Sequence, residues 1–161
     1  MSLAEGAEGL MGFEGDGRRT TTRLLDGEFP KYRSLLPSET LSSATVSTAA
    51  LTESVKRVAL VAERNTPVRL GFSDGEVVLR AGAGDEAQAT EAVECAMEGD
   101  GLDIAFNPQY LLDGLGAVDA PFTRFAFTQA TRPAVLAGAM ESDADPATDY
   151  RYLLMPVRLA G

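Results

Sequence analysis

"VRLGFSDGEVVLRAGA" (Val68–Ala83) and "TRFAFTQATRPAVLAGA" (Thr123–Ala139) decide the fold, because the second repeats the first. Arg69 matches Arg124, Phe72 matches Phe127, and both stretches end in Ala-Gly-Ala. Each reads as strand, turn, strand, the first turning at Ser73-Asp74-Gly75. The flanks repeat too. "SSATVST" (42–48) is a short strand rich in β-branched residues. A helix follows over 49–64, with Thr48 as its N-cap and Leu51, Val55, Val58, Ala59 and Ala62 on its inner stripe. A further strand covers 87–97. In the second half "LDIAF" (102–106) is a strand, Asn107 caps a helix, and Pro108 at its first position suits a site with no N–H to lose. That helix packs through Tyr110, Leu111, Leu112 and Leu115 and stops at Gly114–Gly116. Strands over 121–129, 132–140 and 149–159 complete the copy. The plan is β-α-β-β-β, twice. One copy alone would leave a sheet face and a helix stripe bare, so the two pack as one α+β domain with paired helices on antiparallel sheets.

Upstream, "RRTTTRLL" (18–25) reads as a strand with no visible hairpin partner. Asp26-Gly27 marks a turn, and Pro30 and Pro37 bracket Tyr32, Leu35 and Leu36. Residues 1–37 therefore read as the tail of another domain plus a linker, with a leader at 1–3, and residues 38–161 as the repeat domain. Residues 1–17 lack the basic start and apolar run of a signal peptide.

Composition excludes more chemistry than it suggests. Among 161 residues, 45% hydrophobic content is enough for a core. With no histidine there is no Ser-His-Asp triad and no imidazole ligand. Cys95, the single cysteine, allows neither an internal disulfide nor a thiolate zinc site. Gly82–Asp85 reads as a turn, not a phosphate loop, and the acidic pairs Asp85–Glu86 and Asp143/Asp145 read as solvated loop charge. The net charge of −10 argues against holding nucleic acid by overall charge, though not against a local basic face. These features point to a binding or assembly protein with no cofactor. A stand-alone α+β ligand-binding or oligomerisation domain is the alternative, and a carboxylate hydrolase ranks third.

"TTTRLLDGEFPKYRSLLP" (20–37), "VRLGFSDGEVVLRAGA", "IAFNPQYLLDGL" (104–115) and "YLLMPVRL" (152–159) together resemble the bacterial DNA polymerase III beta subunit, the DNA sliding clamp. Chains of that family carry three such domains, and two chains close a ring. The resemblance implies the DNA clamp fold, with this sequence as a C-terminal part: the end of the middle domain and the third domain. It implies a non-catalytic, cytoplasmic processivity factor that encircles double-stranded DNA. Its partners would be the catalytic subunit of DNA polymerase III, the clamp loader and repair polymerases, bound through short clamp-binding peptides. The full-length protein would be a homodimer and the fragment a monomer.

Three sites follow from the resemblance. The partner-peptide groove would use Pro30 and Leu35 from the linker and Leu153, Met155, Pro156, Val157 and Arg158 from the tail. Methionine adapts to several partners, and Pro156 frees the residues after it from strand pairing. Ser34 stands where many relatives have arginine, which puts that contact in question. Lys56, Arg57 and Arg64, set against Glu53 on the polar face of the first helix, would face DNA without reading sequence. The second helix offers only Gln109 and Asp113 there. Leu60, exposed among charges with Val61 at its edge, would meet the other subunit.

Overall fold

The structure is a computed structural model that describes residues 2–3, 9–29, 31–37, 39–61, 66–82, 88–147 and 149–158. It divides into two units, Met1–Tyr32 and Arg33–Gly161.

The first unit is a three-stranded sheet in the order β1 (Ser2–Leu3), β2 (Leu10–Gly15), β3 (Arg18–Arg23). β3 does have a hairpin partner, contrary to the sequence expectation. It pairs with β2 from Leu10↔Arg23 to Gly15↔Arg18. Asp16 and Gly17 both take positive φ (49° and 72°), the conformation of the tight turn that suits the twist of a hairpin.

The second unit carries the repeat: β4 (Ser42–Ser47), α1 (Thr48–Ala59), β5 (Val68–Ser73), β6 (Gly75–Ala81), β7 (Ala89–Glu98), then β8 (Leu102–Phe106), α2 (Pro108–Gly116), β9 (Phe122–Phe127), β10 (Ala134–Ala139), β11 (Tyr152–Leu154). The strands form an eight-stranded antiparallel sheet in the order β11-β10-β9-β4-β7-β6-β5-β8, and the two helices touch. The duplication reaches the level of single rungs. β5 pairs with β8 so that Arg69 lies opposite Ala105 and Phe72 opposite Leu102. β9 pairs with β4 so that Arg124 lies opposite Thr45 and Phe127 opposite Ser42. The residues matched in the sequence thus occupy matched positions on equivalent ladders.

Local chemistry fixes the ends. Asn107 Oδ1 accepts from the N–H groups of Gln109 and Tyr110 at 2.9 and 3.3 Å, so the predicted cap of α2 is present. At α1 the cap is Ser47, whose hydroxyl accepts from Ala50 N, and not Thr48. The Thr48 hydroxyl is engaged with that of Thr123, 2.9 Å away on β9. The predicted stretch of α1 beyond Val61, including Ala62, lies outside the described residues.

The core sits between helices and sheet. Leu51, Val55 and Val58 of α1, and Leu111 and Leu115 of α2, are buried against Leu70, Leu79, Ile104, Phe106 and Leu136. Phe72, Phe125 and Phe127 form a cluster with ring centroids 5.0–6.0 Å apart, the separation at which aromatic pairs attract beyond their burial. Tyr110, assigned inward from the sequence, is exposed. The inward stripe of α2 is Leu111, Gly114 and Leu115. No helix among the described residues is long and apolar enough to cross a membrane.

Candidate partner-binding groove

The strand predicted over 149–159 is only three residues long. β11 pairs with β10 through Tyr152, Leu153 and Leu154, and Leu154 is buried. Met155 follows, 62% exposed, and then Pro156, which has no N–H to continue a ladder. The chain is caught again one residue on, where Val157 N–H donates to Ala105 O of β8 at 2.8 Å. β11 and β8 are the two ends of the sheet order, so the tail bridges them.

That bridge walls a recess of about 270 Å³ lined by Asp103, Ile104, Ala105, Ala130, Thr131, Pro156, Val157 and Arg158. A second recess, of about 430 Å³, is lined by Ser34, Leu35, Leu36, Pro37 and Leu41 together with Thr128, Gln129, Arg132 and Pro133. The β9–β10 loop contributes to both. Of the residues predicted for the groove, Pro156, Val157 and Arg158 line the first recess and Leu35 the second. Leu153 is half-buried in the β10–β11 ladder, and Met155 stands exposed beside the tail without lining either recess. Pro30 lies outside the described residues.

The sequence reading missed the loop residues Thr128–Pro133. Their signal was the longer turn of the second copy. The first copy turns tightly through Asp74 and Gly75, with Gly75 at φ 87°, whereas the second leaves six residues between β9 and β10.

The helix faces carry less free positive charge than the sequence suggested. Lys56 Nζ lies 2.8 Å from Glu53. Arg57 donates through Nε and Nη2 to the two oxygens of Glu91 on β7, each at 2.6 Å, and through Nη2 to Ser54 Oγ at 3.2 Å. Gln109 Nε2 donates to Asp113 at 2.8 Å. Arg64 lies outside the described residues. The Arg57 guanidinium, with a smaller contribution from the Ser54 hydroxyl, pulls the Glu91 carboxyl down from 4.5 to about 2. A depressed carboxylate stabilises the fold fully above its unfolded value, and that contribution disappears as pH falls from about 4.5 to about 2. In an NMR titration Glu91 should have a midpoint near 2, and Arg57→Gln should return it toward the ordinary value. A Glu91 midpoint unmoved by that substitution would break the assignment.

Leu60, at the C-terminal end of α1, is 84% exposed, while Val61 is half-buried against the core. Among the described residues no group of three or more acidic or cysteine side chains gathers to hold a metal ion.

A doubled β-α-β-β-β unit with adjoining helices on an antiparallel sheet is the architecture of sliding clamps. A DNA polymerase sliding clamp structure from Pseudomonas aeruginosa superposes on 98% of this chain with a TM-score of 0.83 and 28% identity, using 41% of its own length. The DNA polymerase III beta chain of Streptococcus pneumoniae does so over 96% of this chain and 40% of its own, with a TM-score of 0.82 and 30% identity. The family model for the C-terminal domain of the DNA polymerase III beta subunit matches residues 33–158, and the chain belongs to that family. The beta sliding clamp of Streptomyces coelicolor is 56% identical over 161 residues, all of this chain and 43% of the relative. The beta sliding clamp homolog GriR of Streptomyces muensis is 46% identical over 149 residues, 92% of this chain and 40% of the relative. The chain thus spans less than half the length of these relatives.

Proposed function

We propose that this chain acts within a cytoplasmic DNA sliding clamp, as the third domain and the end of the second. The assembled ring would encircle duplex DNA and tether the catalytic subunit of DNA polymerase III by topology, without catalysing a reaction. The clamp loader and repair polymerases would use the same groove. The observation that carries this reading is the tail across β8, where Pro156 and Val157 line a recess with the β9–β10 loop next to an exposed Met155, in a chain of the clamp family. A P. aeruginosa sliding clamp has been solved bound to griselimycin, which supports a ligand-accepting surface on such proteins. Contact with DNA through α1 would be loose, because Lys56 and Arg57 already hold carboxylate partners.

A fluorescein-labelled peptide carrying the clamp-binding segment of the organism's own replicative polymerase tests the groove by anisotropy. Met155→Ala should weaken binding by about tenfold, the effect of losing about 1.4 kcal/mol of contact at a binding hot spot. Met155 is mostly exposed, so the melting temperature should not move. Unchanged affinity in this variant would remove Met155 from the groove.

A further inference from the structure

Beyond the β10–β11 ladder, the tail beside the groove is held at two points. One is the Val157–Ala105 hydrogen bond. The other is Tyr152, three residues before Met155, whose ring lies on α2. A Cβ built on Gly114 would sit 2.6 and 2.7 Å from two carbons of that ring, closer than real contacts allow. Only glycine lets the ring seat there. Tyr152 Oη also donates to the Tyr110 carbonyl at 3.1 Å, so the side chain spans one turn of α2. Glycine is among the poorest helix residues, and α2 holds it at the position the ring covers. Gly116, two residues on, has nothing within 4 Å of where its Cβ would be.

We propose that Tyr152 is the positioning residue of the partner groove. Seated on Gly114, it sets where the Met155–Arg158 tail lies and couples that tail to α2. Both holding points trace to consecutive elements, Ala105 on β8 and Gly114 on α2, with the Asn107 cap between them. Tyr152 is therefore the rung of β11 that contacts both β10, opposite Leu136, and α2. The inference rests on the groove reading for its functional meaning, but the mechanical link has its own readout.

The test uses the 161-residue chain, the labelled polymerase peptide, and hydrogen exchange of the Val157 amide. Gly114→Ala should weaken the peptide by about fivefold to tenfold, within the range of coupling between contacting residues. It should also speed Val157 exchange, and the displaced ring should lower the melting temperature, offset in part by alanine's preference for the helix. Gly116→Ala, with open space for its methyl group, should change neither. Tyr152→Phe keeps the ring and loses only the hydroxyl, and should give a smaller effect of about twofold to threefold in affinity. In a Tyr152→Ala background, Gly114→Ala should have no further effect on Val157. Failure of the unmutated chain to bind the peptide counts against the groove reading alone, since Val157 exchange still reports the coupling. Val157 exchange unchanged in both Gly114→Ala and Tyr152→Phe overturns the proposal. So does a Gly114→Ala effect that persists in full without the tyrosine.

Discussion

Phe125→Ala should destabilise the chain by about 3–5 kcal/mol, the usual cost of deleting a buried phenylalanine. The residue has no exposed surface. It sits on the central strand β9, opposite Ala44 of β4 and Leu136 of β10, and its ring lies 5.5 Å from Phe72 and 6.0 Å from Phe127. Removing it empties the space where the two repeats meet, and ladders on both sides hinder collapse into the cavity. Domains of this size hold about 5–15 kcal/mol in all, so the variant should melt far below its parent. The equivalent rung of the first repeat carries Leu70, opposite Leu79 as Phe125 is opposite Leu136. Phe125→Leu should therefore cost less than the alanine variant. Urea denaturation followed by circular dichroism measures both. A loss under about 1 kcal/mol for Phe125→Ala would mean that the aromatic cluster is not the packing centre.

The same cluster marks how much of the fold was legible in the sequence. Where local chemistry sets the structure, reading was direct: Asn107-Pro108 can start a helix in almost any surroundings, and Ser73-Asp74-Gly75 needs only its own backbone to turn. The repeat was legible because matched rungs need matched residues. What failed depended on distant partners. Thr48 is as good a cap as Ser47 until Thr123 takes its hydroxyl. Tyr110 looked inward until Tyr152, more than forty positions later, covered Gly114 in its place. β2 was overlooked because "LMGFEG" has two glycines and no β-branched residue, although Asp16-Gly17 was a hairpin signal in plain view. That the chain leaves the ladder after Leu154 was legible from Pro156. The β9–β10 loop that lines both recesses was not legible, because nothing in "TQATRP" (128–133) suggests binding. Only its place between the two recesses does.

Leu60→Glu should abolish ring assembly. A leucine side chain that is 84% exposed at a helix end contributes almost nothing to its own domain. Its value would lie in what covers it. Arg57, one turn earlier, is tied by both oxygens of Glu91 to β7, and Leu60 N–H donates to Arg57 O at 3.2 Å. The end of α1 is thereby fixed, and Leu60 projects from a rigid base, which lowers the entropy lost on docking. If α1 meets the other subunit, as the resemblance to clamps implies, a glutamate there is buried without a partner. Such a change at an interface centre typically costs at least about 2 kcal/mol, and burying the unpaired charge adds to it. In a chimera where this chain replaces the matching part of the S. coelicolor clamp, the dimer dissociation constant should rise at least about a hundredfold. Arg57→Ala should give a smaller rise, because it frees the base and leaves the leucine in place. Light scattering after size-exclusion chromatography reads both, and the melting temperature of the 161-residue chain should be nearly the same before and after Leu60→Glu. A Leu60→Glu chimera that stays dimeric at nanomolar concentration would show that this end of α1 faces solvent in the ring.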